Sequence, residues 1–196
     1  MPYEKSFYAR DQQAWRQWLS EHHGSEDHVW LIIYKKESST PSIYYPEAVD
    51  EALCFGWVDS KPNKRDEESY YQYFARRKPK SNWSTVNKKK VARLIKEGRM
   101  EAPGMQMIEI AKANGTWTAL DKVDALEVPE DLQKALAASP EAQRHFDAFP
   151  PSSKKIILEW IHNAKRPETR QNRITETVEK AAQNIRANHY RQPKGK

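Results

Sequence analysis

"WVDSKPNKRDEESYYQYFARR", residues 57–77, decides the fold. Two runs rich in aromatic and β-branched side chains, 57–61 and 69–77, flank Pro62, Asn63 and the charged run 64–68, so the pair reads as a hairpin. Alternation sets Tyr71, Tyr73 and Ala75 on one face of the second run and Tyr70, Gln72 and Phe74 on the other. On a small sheet an aromatic face is more often half of a core than a stacking platform. Upstream, "HVWLIIYKK" (28–36) reads as a further strand, too apolar for an edge facing water on both sides. The expectation is a sheet of at least three strands.

Helical patterns surround these runs. Over 11–22, Asp11 is placed to cap and Trp15, Trp18 and Leu19 recur on one face. "YYPEAVDEALCFGW" (44–57) sets Pro46 in a first turn, with Glu47, Asp50 and Glu51 toward the positive end of the helix dipole. Val49, Ala52 and Leu53 form its apolar face, and Gly56 stops it. Beyond residue 81 the chain is helical. Ser81 or Ser84 caps a helix with Val91, Leu94 and Ile95 on its buried stripe and Gly98 as terminator, and a second helix covers 103–115. Residues 116–128 show no clear periodicity. Helices are expected over 129–138, 140–148 (capped by Ser139), 153–164 and 167–185, with a fraying tail at 188–196. The fold class is therefore α+β: an α+β core with a basic strand-helix segment over 1–100, and a helical region over 101–196 packed with it as one unit.

A chain of 196 residues buries about 70% of its unfolded surface. Its composition is polar, with 31% charged residues, but seven Trp, nine Tyr and five Phe exclude a disordered chain. No run approaches the roughly 18–20 apolar residues of a membrane helix. The N-terminus, "MPYEKSFYARDQQAW", lacks the apolar stretch and small-residue cleavage site of a secretory signal, so a cytoplasmic location is expected. The single cysteine, Cys54, forms no intrachain disulfide and suits a reducing compartment. Its apolar neighbours mark it as a packed thiol.

The net charge of +6 is unevenly distributed: residues 76–99 hold ten basic side chains against Glu97 alone. Such a block is either a solvated helix face or an electropositive surface that attracts an anion. No phosphate-cradling glycine loop, nucleophile elbow, zinc-binding helix motif or cysteine pair is present. His22, His23 and His28 lie close in sequence without ligand spacing, so neither a metal nor a cofactor is expected. No catalytic residue stands out. The candidate ligand site is Trp57, Asp59, Arg76, Arg77, Lys78, Lys80 and Trp83, where guanidinium and ammonium groups beside aromatic faces suit phosphate, carboxylate or a nucleic-acid backbone. The alternative is that Asp59 bridges to the basic strand and pins the hairpin. A second basic cluster, Lys165, Arg166, Arg170 and Arg173, reads as helix capping and interhelix bridging or as a further ligand site.

Three stretches, "EALCFGWVDS" (51–60), "RKPKSNWSTVNKKKVARLIKEGRM" (77–100) and "WIHNAKRPETRQNRI" (160–174), together resemble the YdeI/OmpD-associated family, also called bacteriocin-protection or OmdA proteins. The resemblance extends over nearly the whole chain, and 129–185 is similar to the segment that gives the family its name. It implies a non-enzymatic binding protein linked to tolerance of bacteriocins and cationic antimicrobial peptides, with an outer-membrane porin as partner. It carries over no catalytic residue. The residues themselves leave two other readings open: a nucleic-acid or anionic-ligand binding module using 76–99, and an enzyme on a small phosphorylated substrate with Asp59 as base. They do not specify the oligomeric state.

Overall fold

The computed structural model describes residues 3–189; of the tail 188–196, residues 190–196 lie outside the described residues. The fold is α+β, with one four-stranded sheet and nine helices among the described residues. The chain begins with β1 (Ser6–Tyr8), α1 (Gln12–His22), β2 (His28–Tyr34) and α2 (Tyr45–Cys54), followed by the hairpin β3 (Trp57–Lys64) and β4 (Ser69–Arg76). The strand order is β1-β2-β4-β3, with β1 parallel to β2 and the other pairs antiparallel. Four strands satisfy the expectation of at least three; the added one, the three-residue β1, is too short to carry a recognisable alternation. β3 also runs three residues further than its first apolar residues suggest. Pro62 offers no N–H to a ladder, and the strand accepts it because β3 is an edge with an irregularity in register between Asp59 and Pro62.

Alternation assigns the two faces as expected. Phe74 and Gln72 of β4 are buried with Val29, Leu31 and Ile33 of β2, and Gln72 satisfies its amide on the Ser60 carbonyl at 2.9 Å. Trp15 and Leu19 of α1 and Ala48, Val49, Ala52 and Leu53 of α2 belong to the same core. On the opposite face Tyr71 and Tyr73 are half-buried and join Trp30 and Tyr3 in a ring cluster, Tyr3 stacking on Tyr71 at 4.2 Å.

Next come α3 (Thr85–Lys96) and α4 (Ala102–Ala113). Ser84 is the α3 cap, its hydroxyl accepting from the Asn87 amide at 3.2 Å. Val91 and Leu94 are buried, whereas Ile95, expected on the same stripe, is 46% exposed: one step past Leu94 rotates it off the narrow contact face. At Gly104 of α4 an added Cβ would stand 2.2 Å from the Cys54 carbonyl oxygen. This close approach, with the Glu101 amide donating to the same carbonyl at 3.1 Å, seats α4 on the end of α2. Residues 101–119 are thereby part of the first compact unit, which reaches Ala119.

The second unit begins at Leu120 and is all helical where described. It comprises α5 (Asp121–Asp124), α6 (Glu130–Ala137), α7 (Pro140–Ala148), α8 (Pro151–His162) and α9 (Pro167–Ala182). α5 is a single turn in the stretch without periodicity; α8 starts two residues before Ser153, and α9 stops three short of Ile185. Ser139 is at the cap of α7 but its hydroxyl makes no capping bond. Leu132, Leu136, Phe146, Ile157, Ile161 and Ile174 form a core of their own. No helix among the described residues is long and apolar enough to cross a membrane.

Candidate anion-binding site

The site is built where α2 turns into β3. Gly56 adopts a φ of +73°, which only glycine takes without strain, and a Cβ there would stand 2.9 Å from Met107 of α4. The antiparallel register sets Trp57 opposite Arg76, and the Arg77 amide closes the hairpin end on the Gly56 carbonyl at 2.9 Å. Arg77 therefore leaves the sheet beside the turn and points inward. It is only 5% exposed.

No acid is in direct contact with it among the described residues, Asp59 acting only at a distance. The guanidinium stacks over Trp83 at 3.9 Å, and Nη1 donates to the Asn82 carbonyl at 3.0 Å. Nε is buried with no hydrogen-bond partner, and no ion pair joins Arg77 to another described residue. An unsatisfied buried N–H costs about 1–3 kcal/mol, more beside a charge. Burial pushes Arg77 down to about 10, with Asp59 acting in the opposite sense, so the group remains cationic at neutral pH. Arg77 lines a cavity of about 290 Å³ whose walls include Phe55, Trp57, Pro103 and Met107, with the Gln106 amide beside them; no Asp or Glu lines it.

The other candidate residues separate. Trp57 is fully buried and crosses the Trp18 ring edge-on at 5.7 Å. Trp83 is buried between Arg77 and Trp117, the latter at 5.1 Å. Asp59 does not bridge to the basic strand: register sets it opposite Phe74, and its carboxylate accepts from the Tyr45 hydroxyl at 2.6 Å. Burial first, and then this bond, raise the Tyr45 pKa far above that of an ordinary phenol, so Tyr45 stays the donor. Arg76 clamps the loop after α1, donating to the carbonyls of Gly24 (2.7 Å) and Glu26 (2.5 Å). Lys78 and Lys80 are exposed.

Much of the remaining basic block has partners that sequence reasoning missed. Asp50 and Glu51 do not serve the dipole of α2; they are buried acids that gather cations. Lys90 reaches Asp50 at 2.5 Å, joined by Arg93, while Glu51 takes Arg16 at 2.7 Å and Arg99 at 2.5 Å. The available signal was Asp50 and Glu51 adjoining the apolar face of α2, where charge persists only when paired. In the second cluster Arg170 forks onto Asp131 with bonds of 2.6 and 2.9 Å, and Arg173 donates to the Trp160 carbonyl while stacking over that ring at 5.1 Å. Lys165 and Arg166 are exposed.

Cys54 is fully buried, and burial raises its thiol to about 11, which leaves it protonated and unreactive near neutrality. The three early histidines serve separate contacts: His22 stacks on Trp18 at 4.8 Å, His23 bonds the Leu19 carbonyl at 2.9 Å, and His28 pairs with Asp27 at 2.7 Å. Among the described residues no group of three or more His, Cys, Asp or Glu side chains is arranged to hold a metal.

A larger cavity, about 550 Å³, lies between the end of β2 and the start of α2 among Tyr34, Tyr44, Tyr45 and Tyr70. Its lining carries charge of both signs, Lys35 and Lys36 with Glu37 and Glu47; Lys35 donates to the Glu67 carbonyl, Lys36 sits over Tyr44, and Glu47 caps the Tyr44 amide. The smaller cavity differs in that arginines line it and no acid does.

The family model described as "Domain of unknown function (DUF8412)" matches residues 7–107, just over half of the chain. The model described as "Bacteriocin-protection, YdeI or OmpD-Associated" (OmdA) matches residues 125–184. That match is narrower than the near-complete resemblance read from the three motifs, two of which, 51–60 and 77–100, lie within the first match. No curated protein and no solved structure matches the chain.

Proposed function

The chain belongs to the family described as Domain of unknown function (DUF8412), followed by an OmdA-type segment, and from that premise we propose that it is a non-enzymatic binding protein for a small anion. The observation that carries this reading is Arg77: a cationic side chain 5% exposed, without an ion pair among the described residues, at a cavity that no acid lines. A buried charge without a counter-charge is costly, and an anionic ligand removes that cost.

In the cell the proposed setting is the cytoplasm, in tolerance of bacteriocins or cationic antimicrobial peptides. The printed description of the 125–184 match, which names bacteriocin protection, supports that role, and a single buried thiol suits a reducing compartment. A second reading, nucleic-acid binding, is favoured by the exposed Lys78, Lys80, Lys89 and Lys96.

The test is calorimetric titration with phosphate, sulfate, a series of carboxylates and a short single-stranded oligonucleotide at two salt concentrations. We expect a small anion to bind the wild type, Arg77→Gln to lose it, and the Lys78→Gln/Lys80→Gln pair to keep it. If the oligonucleotide alone binds, with strong salt dependence removed by the lysine changes, the nucleic-acid reading replaces this one. If nothing binds, both readings fail.

A further inference from the structure

We infer that the larger cavity, between the end of β2 and the start of α2, binds an uncharged sugar, its pyranose ring packed on tyrosines and its hydroxyls met by polar groups around them. Tyr34, Tyr44, Tyr45 and Tyr70 line this cavity with Ile33 and Pro46, and its volume of about 550 Å³ lies within the range of small-molecule sites. Two of the rings are anchored through their hydroxyls: Tyr45 donates to Asp59 at 2.6 Å, and Tyr34 accepts from Arg65 at 3.3 Å. Tyr44 carries Lys36, another lining residue, over its ring at 5.7 Å, so that face of the ring is turned to the cavity. Neither Tyr44 nor Tyr45 belongs to the apolar core, and both stay exposed. Core packing does not account for this adjacent pair.

The polar groups of the lining are of a kind that hydroxyls use. Tyr70 is half-buried, and burial alone raises its pKa, with no bonded partner contributing. Its hydroxyl is neither hydrogen-bonded among the described residues nor sealed from solvent, so it is open to a ligand. The exposed Lys36 and Glu37 likewise make no hydrogen bond or ion pair among the described residues. Lys36 and Glu37 follow β2, Glu47 belongs to α2 and Tyr70 to β4, so polar groups reach the cavity from three sides.

Charge sets the ligand class. Lys35 and Lys36 oppose Glu37 and Glu47, and the lining has no net charge to be neutralised. An ion would meet a like charge as readily as an opposite one, whereas a hydroxyl donates to a carboxylate and accepts from an ammonium or a phenol. A pyranose combines a face of C–H bonds, which packs on aromatic rings, with hydroxyls radiating around its edge. A flat heterocycle has fewer polar atoms, all in its own plane. This cavity shares no lining residue with the Arg77 cavity, so its ligand is independent of the anion-binding reading.

The experiment uses the full chain, with saturation-transfer NMR and calorimetry against methyl β-glucopyranoside, maltose and cellobiose. Sorbitol, adenosine, choline and L-phenylalanine are the controls. At least one of the three saccharides should bind, and sorbitol, which has hydroxyls but no ring face, should bind at least about tenfold more weakly. Tyr44→Ala, which removes an exposed ring, should weaken the saccharide by about tenfold, and Tyr70→Phe, which removes only a hydroxyl, by about threefold or more. Arg77→Gln should leave saccharide binding unchanged. The comparison of saccharide with sorbitol uses the wild type alone and stands even if a variant fails to fold. Sorbitol binding as tightly as the saccharides overturns the role of the ring face. Adenosine, choline or phenylalanine binding in place of the saccharides overturns the ligand class. Saccharide binding untouched by both tyrosine changes overturns the assignment of the site, and binding of none of the three saccharides overturns the inference as a whole.

Discussion

Arg76 and Arg77 are neighbours of the same type with opposite fates, because β4 ends at Arg76 and the chain has left the strand at Arg77, whose amide is held by the Gly56 turn. Arg76 stays exposed and satisfies two loop carbonyls; Arg77 turns inward onto Trp83. Lys78 and Lys80 do neither. Arg76→Gln should therefore cost about 1–2 kcal/mol, since two charge-assisted hydrogen bonds are lost, while Lys78→Gln with Lys80→Gln should stay within about 0.5 kcal/mol. Urea unfolding of the three proteins checks this; equal losses would mean that the lysines hold structure after all. The candidate residues Trp57 and Trp83 were legible as important aromatics, but their burial depends on partners far along the chain, Trp18 and Trp117.

Among the elements, α4 shows most clearly how one residue positions a site. Pro103 and Met107 reach the cavity only because Gly104 lets the helix rest against the Cys54 carbonyl. A methyl group there has no room, since the atom it meets is backbone at the end of a buried helix. Gly104→Ala should cost about 2 kcal/mol or more and weaken ligand binding by displacing the cavity wall. Gly24→Ala is the control: nothing lies within 4 Å of its added carbon, so stability should change by less than about 0.5 kcal/mol. Equal thermal shifts for the two substitutions would contradict the close packing of α4 on α2. Helix periodicity marked α4 itself, yet a glycine in a helix does not reveal which backbone it approaches.

Over the whole molecule, charge is organised by pairing rather than by sequence blocks. Asp131 lies below the usual carboxylate range because of Arg170, as does Asp27 because of His28, Asp66 because of the Ser69 hydroxyl, and Glu97 because of Arg93. A carboxylate with a lowered folded pKa takes up protons on unfolding, so its stabilisation is complete above the unfolded value of about 4 and is lost as pH falls through the folded value. The urea midpoint should accordingly be lower at pH 3 than at pH 6, and Arg170→Gln, which releases Asp131, should narrow that difference. A midpoint unchanged between the two pH values would contradict the pairing. The sequence by itself determined the α+β class, the hairpin, most helices and the packed Cys54, because hydrophobic period and turn chemistry act over a few residues. It also held the basic block, but not its destination. Only the tertiary structure decided that Lys90, Arg93 and Arg99 serve the buried acids of α2, that Asp59 meets Tyr45, and that Arg77 is buried with its Nε unbonded. Charge pairing acts over a few ångströms between residues tens of positions apart, so composition records the charges while the fold selects which one remains unpaired.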